Sequence, residues 1–385
     1  MQTNITKITS GADMERLLPD WNSVVPRATH YSFAHTPAYL ALAILHELDH
    51  GREVQVAEAR IGDKLVGFWP FSLHRGFFRE MRPVSCGSSE EYSSPLVDAG
   101  VRDEATRALL DVALKIDCDI CRIQATPLNT ALAAALATPG VAALKSRSGT
   151  IDGYIATLRR FPDWEAYADQ ASTSHLSGLR RKMRRLQDVG EVELGWCRSV
   201  DDARAVLEWA WKTKRAWAKA RRLSTPWLQD DRVRDFFGDL AGRVDLDETP
   251  LVSFVKLDGK PIAAQINLIG DQTFEFFVTA YDDAYGRFSP GELLIEHSFR
   301  WAIDHKLDFD FRFLFADYKV RLSDRINTYT TQEFYLSSLA KTFGPLSRRV
   351  AWAARKARRA PAKALSLVTG AIRGRTDRRS ARPPL

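Results

Sequence analysis

Two segments of the chain repeat the same pattern of a strand, a tight turn and a second strand. Around residue 60 the sequence reads ARIGDKLVGFWPF, and around residue 256 it reads VKLDGKPIAAQIN. At an offset of 196 residues, Gly62-Asp63-Lys64 aligns with Asp258-Gly259-Lys260. A Gly/Asp turn between two apolar runs is typical of a β-hairpin. Each segment is therefore predicted to be one hairpin of a repeated unit.

A second pair of segments repeats in the same order. Ile116–Ile120 (IDCDI) aligns with Leu307–Phe311 (LDFDF) at an offset of 191 residues. Each copy follows a segment predicted to be an amphipathic helix, Asp103–Lys115 in the first copy and Gly291–His305 in the second. Two matches in the same order, at nearly the same offset, indicate the duplication of one α/β unit.

The two copies differ at the start of their helix. In the second copy, Ser289-Pro290-Gly291 lies directly at the helix start, where Ser is a favoured N-cap and Pro a favoured first residue. Gly291 also lets another molecule approach the backbone closely. Because the N–H groups of a first helical turn have no partners within the helix, this start is suited to phosphate. The first copy has Ser94-Pro95 without an adjacent glycine, so we expect a phosphate-bearing cofactor only in the second copy.

A helical segment lies between the two copies. Helices are predicted over residues 163–170, 174–187, 201–222 and 226–242. The second of them contains a basic run that could hold an anionic substrate or a tRNA, or could be a solvated helix face. That run consists of Arg180, Arg181, Lys182, Arg184 and Arg185. The predicted organisation is residues 1–160, a helical insert 161–245, residues 246–340, and a basic tail 341–385.

The tail carries an excess of positive charge. Residues 341–385 contain 13 Lys and Arg against Asp377 alone, whereas the whole chain has a net charge of +7. Such a tail favours peripheral contact with an anionic membrane, or acts as a solubilising segment. The chain has no run of roughly 18 apolar residues and no signal-peptide pattern at its N-terminus. We therefore expect a cytoplasmic protein, with the tail able to contact the inner face of the membrane.

The cysteines do not indicate a metal site. Cys118 and Cys121 form a CxxC, but in a predicted strand residues three apart point to opposite faces. No second CxxC or paired histidines complete a zinc site. Cys86, Cys197 and the CxxC pair are predicted to be reduced, mostly buried thiols, and no metal is expected.

The order of hairpin, YDDAY, FSPGELLIEHSFRWA helix, DFDF strand and DYK resembles the GNAT-fold acyltransferases of the cellulose-biosynthesis-associated acetyltransferase family. These are similar in layout to the Fem-type aminoacyltransferases, which also pair two GNAT-like halves around a helical insert. The resemblance covers roughly Val54 to Leu336. It implies an α/β fold of tandem duplicated GNAT-like domains, with mixed, largely antiparallel sheets flanked by helices.

The resemblance also implies acetyl-CoA or another acyl-CoA as the donor. It places the pyrophosphate at Ser289, Pro290, Gly291 and Glu292, and the pantetheine along the preceding strand Phe276–Ala280, which includes Val278 and Thr279. The chain has Ala316 where a glycine commonly precedes the Tyr-Lys pair of this family, and it lacks the Gln/Arg-x-x-Gly-x-Gly/Ala loop of ordinary GNAT enzymes.

Tyr318 and Lys319 match that Tyr-Lys pair beside the acceptor site. A phenol has a pKa near roughly 10, just above that of a thiol, so Tyr318 could protonate the leaving thiolate. Lys319 could bind an acceptor phosphate or carboxylate, or help to hold the CoA, and Arg180 and Lys182 in the basic run could bind an anionic substrate. A tyrosine packed on the sheet and a surface lysine are the structural alternatives.

The DFDF strand supplies further candidates. Alternation predicts Asp308, Asp310 and Arg312 on one face, with phenylalanines 309, 311 and 313 in the core. Asp310 could be the general base and Arg312 could orient the acceptor, or the two could form a structural ion pair. The recurrence of the pattern at Asp117 and Asp119, in the copy without a cofactor site, favours the structural role.

Glu275, in the strand TFEFFV, is an alternative base or an exposed strand residue. A DxD glycosyltransferase motif is disfavoured, because these aspartates lie within a strand and leave little room for a metal. The main hypothesis is transfer of an acyl group from acyl-CoA to a hydroxyl or amine of a sugar, polysaccharide or cell-envelope precursor. The alternatives are a tRNA-dependent aminoacyltransferase and a non-catalytic scaffold of a polysaccharide-synthesis complex.

Overall fold

The computed structural model describes residues 1–88, 91–171, 173–223, 225–313 and 315–346. The predicted basic tail falls almost wholly on residues 347–385, outside the described residues, and its contact with a membrane stays a prediction. Within the described residues, no helix is long and apolar enough to cross a bilayer.

One sheet runs through the structure. Its strands, in chain order, are β1 (Gln2–Ile8), β2 (Glu53–Ile61), β3 (Lys64–Arg75), β4 (Arg79–Pro83), β5 (Leu96–Val97), β6 (Ile120–Pro127), β7 (Lys145–Ala156), β8 (Val192–Trp196), β9 (Val252–Leu257), β10 (Lys260–Ile269), β11 (Thr273–Tyr281), β12 (Asp308–Phe313) and β13 (Arg325–Tyr335).

Helices cover both faces of this sheet. In chain order they are α1 (Gly11–Val24), α2 (Pro37–Asp49), α3 (Arg102–Ala113), α4 (Ala131–Leu136), α5 (Pro139–Leu144), α6 (Trp164–Gln170), α7 (Thr173–Gln187), α8 (Val200–Ala220), α9 (Pro226–Gln229), α10 (Asp231–Ala241), α11 (Pro290–Asp304) and α12 (Asp317–Leu322). The predicted helix 226–242 is two helices, because Asp230 has an extended backbone and its side chain caps α10.

The strand order reveals the predicted duplication. The sheet runs β1-β2-β3-β4-β6-β13-β7-β12-β11-β10-β9-β8, with β5 attached to β3. From either edge inward, three antiparallel pairings are followed by one parallel pairing, β4 with β6 and β11 with β12. The fold is therefore the predicted α/β arrangement of two related, largely antiparallel units, joined in a single mixed sheet.

The strand that follows the parallel pair is exchanged between the two units. β7 follows β6 in the chain but pairs with β12, and β13 follows β12 but pairs with β6. β7 and β13 also pair with each other along most of their length. Met1–Ser337 accordingly form one compact unit. The predicted boundaries at residues 160 and 245 stay a prediction, because β7 belongs to one unit by sequence and to the other by hydrogen bonding.

The predicted turns and thiols are where the sequence placed them. The β2–β3 and β9–β10 hairpins close at Gly62 and at Asp258-Gly259, all with positive φ, the conformation that the Gly/Asp pattern favours. The strand predicted to contain both Cys118 and Cys121 begins only at Ile120, so Cys118 precedes it. All four cysteines are buried and free, and burial raises the pKa of the Cys118 thiol to about 12.

Candidate active site

The parallel strands β11 and β12 pair over only three residues. Thr273, Phe274 and Glu275 lie opposite Asp308, Phe309 and Asp310. Beyond the Glu275–Asp310 pair, β11 continues to Tyr281 and β12 to Phe313 without pairing to each other. A gap therefore opens between the carboxyl ends of the two strands. Such a gap is where a ligand can bind to strand backbone.

Helix α11 begins at this end of β11, after a 3₁₀ turn over Asp283–Phe288. Ser289 has a left-handed backbone (φ 51°), and its carbonyl accepts the N–H groups of Glu292 and Leu293. Its hydroxyl does not cap the helix as the sequence predicts, but accepts a hydrogen bond from Lys182 Nζ at 2.7 Å. The Gly291 N–H has no hydrogen-bond partner among the described residues. The helix start therefore has a free donor and a lysine beside it.

A second cation lies at the same helix start. Arg321 Nη2 is 3.0 Å from Glu292 Oε2, and His175 Nδ1 is 3.8 Å from the same oxygen. Burial lowers the pKa of His175, so this imidazole is neutral near pH 7. Lys182, Arg321 and the helix dipole together outweigh the single negative charge of Glu292. The helix start is thus suited to an anion.

The basic run on α7 divides between two sides of the helix. Lys182 contacts the start of α11, whereas Arg180 and Arg184 line a separate cavity of about 530 Å³ between α7 and α11. Arg300 lines that cavity from α11. Arg180 and Lys182 were predicted together as substrate-binding residues, but the fold places them in different environments.

Val278 and Thr279, predicted to follow the pantetheine, lie on the part of β11 beyond the last pair with β12. Val278 is buried in the core between the sheet and helices α2, α8 and α10. The Thr279 hydroxyl donates to the Ala264 carbonyl at 3.3 Å. Neither side chain is aimed at a ligand, so contact with a pantetheine would come from the backbone of this strand.

The faces of β12 separate as the alternation predicts, up to Arg312. Asp308 and Asp310 line a cavity of about 670 Å³, and Phe309 and Phe311 pack in the core beneath α11. Arg312 has a positive φ of 58°, and the pairing with β7 shifts register there. Phe313 consequently packs on Tyr92 and Tyr329 rather than with Phe309. The expectation of one continuous phenylalanine face was therefore wrong at its last residue.

A buried charge network forms the floor of that cavity. Glu275 Oε2 accepts from Arg312 Nη1 at 2.9 Å, with both side chains almost fully buried. Asp310 Oδ1 accepts from the Arg312 backbone N–H at 2.7 Å, and Asp310 Oδ2 accepts from the Tyr92 hydroxyl. The Arg312 guanidinium thus forms its ion pair with Glu275, and Asp310 contacts the Arg312 backbone instead of the expected side chain. Tyr329 stacks on Tyr92 at 5.1 Å.

Burial shifts the pKa of each acid in this floor. Desolvation raises the pKa of Glu275 to about 7, although Arg312 opposes the shift. Desolvation also raises the pKa of Asp310, while the hydrogen bond from Tyr92 lowers it. Hydrogen bonds from the Ser32 side chain and the Phe33 backbone N–H also lower the pKa of Glu275. The cavity is therefore lined by a residue whose carboxyl group titrates near neutral pH.

The two copies of the Asp-x-Asp pattern have different surroundings in the structure. In the first copy, the Asp117 side chain is 95% exposed and pairs with Arg79, and Asp119 accepts the Arg79 backbone N–H. Asp308 and Asp310 are instead both buried against the cavity. The repetition therefore gives no reason to assign Asp310 a purely structural role.

Tyr318 and Lys319 lie on α12, just after β12. The Tyr318 ring packs on Phe276 and Phe311, and burial raises its pKa well above the ordinary phenol range. Lys319 is buried and its Nζ donates to the carbonyls of Phe311 and Phe313 at 2.8 and 2.6 Å. These carbonyls lie beyond the last pair with β11, so Lys319 ties α12 to the end of β12. A role in binding the acceptor stays a prediction.

The sequence reasoning did not single out three residues of the cavity wall. The Tyr92 hydroxyl donates to Asp310, the Tyr329 hydroxyl donates to that of Tyr92 at 3.3 Å, and the buried His35 ring lies 3.2 Å from the Tyr92 carbonyl. Burial lowers the pKa of His35 to about 4, so it is neutral. No local pattern marks these residues, because they belong to three separate segments that meet only in the fold. Within the described residues, no group of His, Cys, Asp and Glu could hold a metal ion.

Comparison with known proteins identifies a domain in the part of the chain that contains this site. Residues 173–320 match the family described as the acetyltransferase (GNAT) domain. Comparison with curated proteins finds no match.

Among solved structures, the C-terminal domain assigned to a lysylphosphatidylglycerol synthetase from Agrobacterium fabrum aligns with a TM-score of 0.52. The identity is 11%, over 89% of this chain and 97% of that one. L-PGS from Bacillus licheniformis aligns with a TM-score of 0.50 and 10% identity, over 88% and 96%. FemX aligns with a TM-score of 0.46 and 11% identity, over 86% and 97%.

The similarity to the Agrobacterium fabrum and Bacillus licheniformis structures shows a shared fold, because the alignments extend over nearly all of each chain. The identities of 11% and 10% show nothing beyond the fold. The matched residues 173–320 contain α11, β11, β12 and the Glu275–Asp310 pair. Residues 173–320 therefore form a GNAT acetyltransferase domain, and the chain that contains it is a transferase.

Proposed function

We propose that the enzyme transfers an acetyl or other acyl group from acyl-CoA to an amine or hydroxyl of a sugar, polysaccharide or cell-envelope precursor. The observation that carries the proposal is the end of the β11–β12 pairing. It leaves β11 unpaired with β12 between the last pair, Glu275–Asp310, and the turn that precedes α11. The nature of the acceptor follows the resemblance to the cellulose-biosynthesis-associated acetyltransferases.

The donor would bind at the start of α11. Its pyrophosphate would accept from the free Gly291 N–H and from Lys182, which already contacts Ser289. A Cβ at position 291 would meet only Tyr281, at 3.7 Å, so a small side chain would fit there. A large side chain would instead fill the space at the helix start that the pyrophosphate would occupy. The pantetheine would lie along the unpaired edge of β11, and the thioester would reach the last strand pair.

The pKa of Glu275 makes it the better of the two candidate bases. Both oxygens of Asp310 already accept hydrogen bonds, one from Arg312 and one from the Tyr92 hydroxyl. Glu275 also accepts a hydrogen bond, from Arg312, and the residue lines the cavity. A pKa near 7 suits a general base at neutral pH. Asp310 and Arg312 would hold Glu275 and the acceptor in position.

The reaction would be a direct transfer. The acceptor nitrogen or oxygen attacks the thioester carbonyl, and Glu275 takes the proton that it loses. The C–S bond then breaks and the CoA thiolate leaves. Tyr318, beside Phe276 and Phe311 at the gap, would return a proton to the sulfur. No covalent enzyme intermediate is required.

Calorimetric titration with acetyl-CoA tests the proposal. Gly291→Trp should weaken binding by at least about tenfold, because the side chain occupies the anion site. Gly140→Trp is the matched control, since Gly140 also follows a proline at a helix start and has open space around it. This control should bind acetyl-CoA like the wild type.

Absence of acetyl-CoA binding to the wild-type enzyme would contradict the proposal. Binding of a charged tRNA instead, reduced by substitutions at Arg181 and Arg185, would favour the Fem-type alternative. Binding of neither donor would favour the scaffold.

A further inference from the structure

The 670 Å³ cavity changes in polarity with depth. Its floor contains the Glu275 and Asp310 side chains, which are 0% and 3% exposed. Its outer wall contains Arg159 and Arg325, whose side chains are 42% and 44% exposed. Arg102, at the start of α3, lines the cavity from the other unit and donates to the Thr29 carbonyl. The deep end is therefore acidic and the open end is rich in arginine.

Asp308 holds the two outer arginines together. Its Oδ2 lies 3.4 Å from Arg159 Nε and 3.5 Å from Arg325 Nη2. Asp308 is 2% exposed, and it also accepts from the Arg159 backbone N–H. Two guanidinium groups thus share one carboxylate and keep one net positive charge at the open end. Guanidinium groups bind carboxylate and phosphate with paired hydrogen bonds.

The separation between these two ends follows from the strand. Asp308 and Asp310 are two residues apart on the same face of β12, and a strand rises about 3.3 Å per residue. The arginine pair and the floor are therefore about 7 Å apart along the strand. This span is comparable to one sugar ring with its substituents.

We propose that the acceptor is anionic: it carries a phosphate or carboxylate that Arg159 and Arg325 bind, about 7 Å from the amine or hydroxyl that is acylated. The inference rests on the proposed function, because it takes this cavity as the acceptor site. Asp308 positions the two arginines when the acceptor is absent. The two arginines then favour acceptors that carry the anion over neutral sugars and amines that the cavity floor alone could not distinguish.

Glucosamine 6-phosphate and glucosamine form a matched probe pair, and inorganic phosphate tests the anion site alone. Calorimetry should show that the wild type binds glucosamine 6-phosphate at least about tenfold more tightly than glucosamine. The double variant R159Q/R325Q should lose that preference without weaker binding of glucosamine. Arg160→Gln is the matched control, because Arg160 pairs with Asp324 and is not among the residues lining the cavity.

Muramic acid against glucosamine tests a carboxylate in the same way, and inorganic phosphate should compete with either anionic probe. An equal affinity of the wild type for the charged and neutral probes would overturn the proposal. So would an anion preference that persists in R159Q/R325Q, or the absence of any binding of the anionic probes and phosphate. Acetyl-CoA titrations are run separately, so that a failure of donor binding is distinguished from a failure of anion selection.

Discussion

The two units of this enzyme have the same strand order but different chemistry at equivalent positions. The sequence offset of 196 relates Glu275 to Arg79, and the offset of 191 relates Asp310 to Asp119. Glu275 and Asp310 face each other at the end of the β11–β12 pairing. Likewise, the Asp119 N–H donates to the Arg79 carbonyl, next to the β4–β6 pair.

Only the second unit buries the carboxylates at this point. Arg79 is half-buried and pairs with Glu53 and the exposed Asp117. Glu275 is fully buried, opposite a cavity, and its only ion-pair partner among the described residues is Arg312. The comparison shows that the two units keep the same strand pairing, whereas the first has an arginine where the second has the buried Glu275.

Removal of the proposed base should have the largest effect. Glu275→Gln is expected to lower kcat with acetyl-CoA and a free amine or hydroxyl acceptor between about 10²- and 10⁴-fold, because the attacking group then keeps its proton. In the wild type, kcat/KM should fall as the pH drops below about 7, since the base acts only when ionised. A pH–rate profile and steady-state kinetics measure both effects.

The first unit offers the control for this experiment. Glu53→Gln also removes a carboxylate paired with an arginine, but this residue does not line the cavity. Its rate should stay within about twofold of the wild type. A similar loss in both variants, or an unchanged acidic limb in Glu275→Gln, would contradict the role of Glu275.

Loss of the buried cation should be the next largest effect. Arg312→Met leaves Glu275 buried without its ion-pair partner, which is expected to lower the free energy of unfolding by about 3–5 kcal/mol. Urea denaturation followed by tryptophan fluorescence measures the change. Asp117→Asn, in the exposed pair of the first unit, should leave the midpoint unchanged. A loss below about 1 kcal/mol in Arg312→Met would show that the network does not depend on this arginine.

The smallest effect is expected at the helix start. Lys182→Met removes the hydrogen bond to the Ser289 hydroxyl and one positive charge, so acetyl-CoA should bind about two- to tenfold more weakly. Arg181→Met, on the same helix, is the comparison variant. An equal loss of acetyl-CoA affinity in both variants would indicate general attraction by the basic helix. The difference in affinity between Lys182→Met and the wild type should become smaller at high salt.

Much of the architecture was predictable because it depends on local patterns. The hairpin turns at Gly62 and Gly259 follow from glycine's tolerance of positive φ, and α3 and α11 follow from apolar periodicity. The two offsets located the duplication. The candidate residues Glu275 and Asp310 were also identified from sequence, but without a reason to prefer either of them.

The sequence by itself determined the repeated α/β unit, the helix start at Ser289-Pro290-Gly291 and the alternation of Asp and Phe on β12. Only the tertiary structure decided that β7 and β13 are exchanged, that Arg312 pairs with Glu275, and that Tyr92 hydrogen-bonds Asp310. Turns and periodicity are set by neighbouring residues, whereas the environment of a buried charge depends on residues that lie far apart in the chain. For that reason the sequence pattern could identify the acids, and only the fold could show which of them pairs with the Arg312 guanidinium.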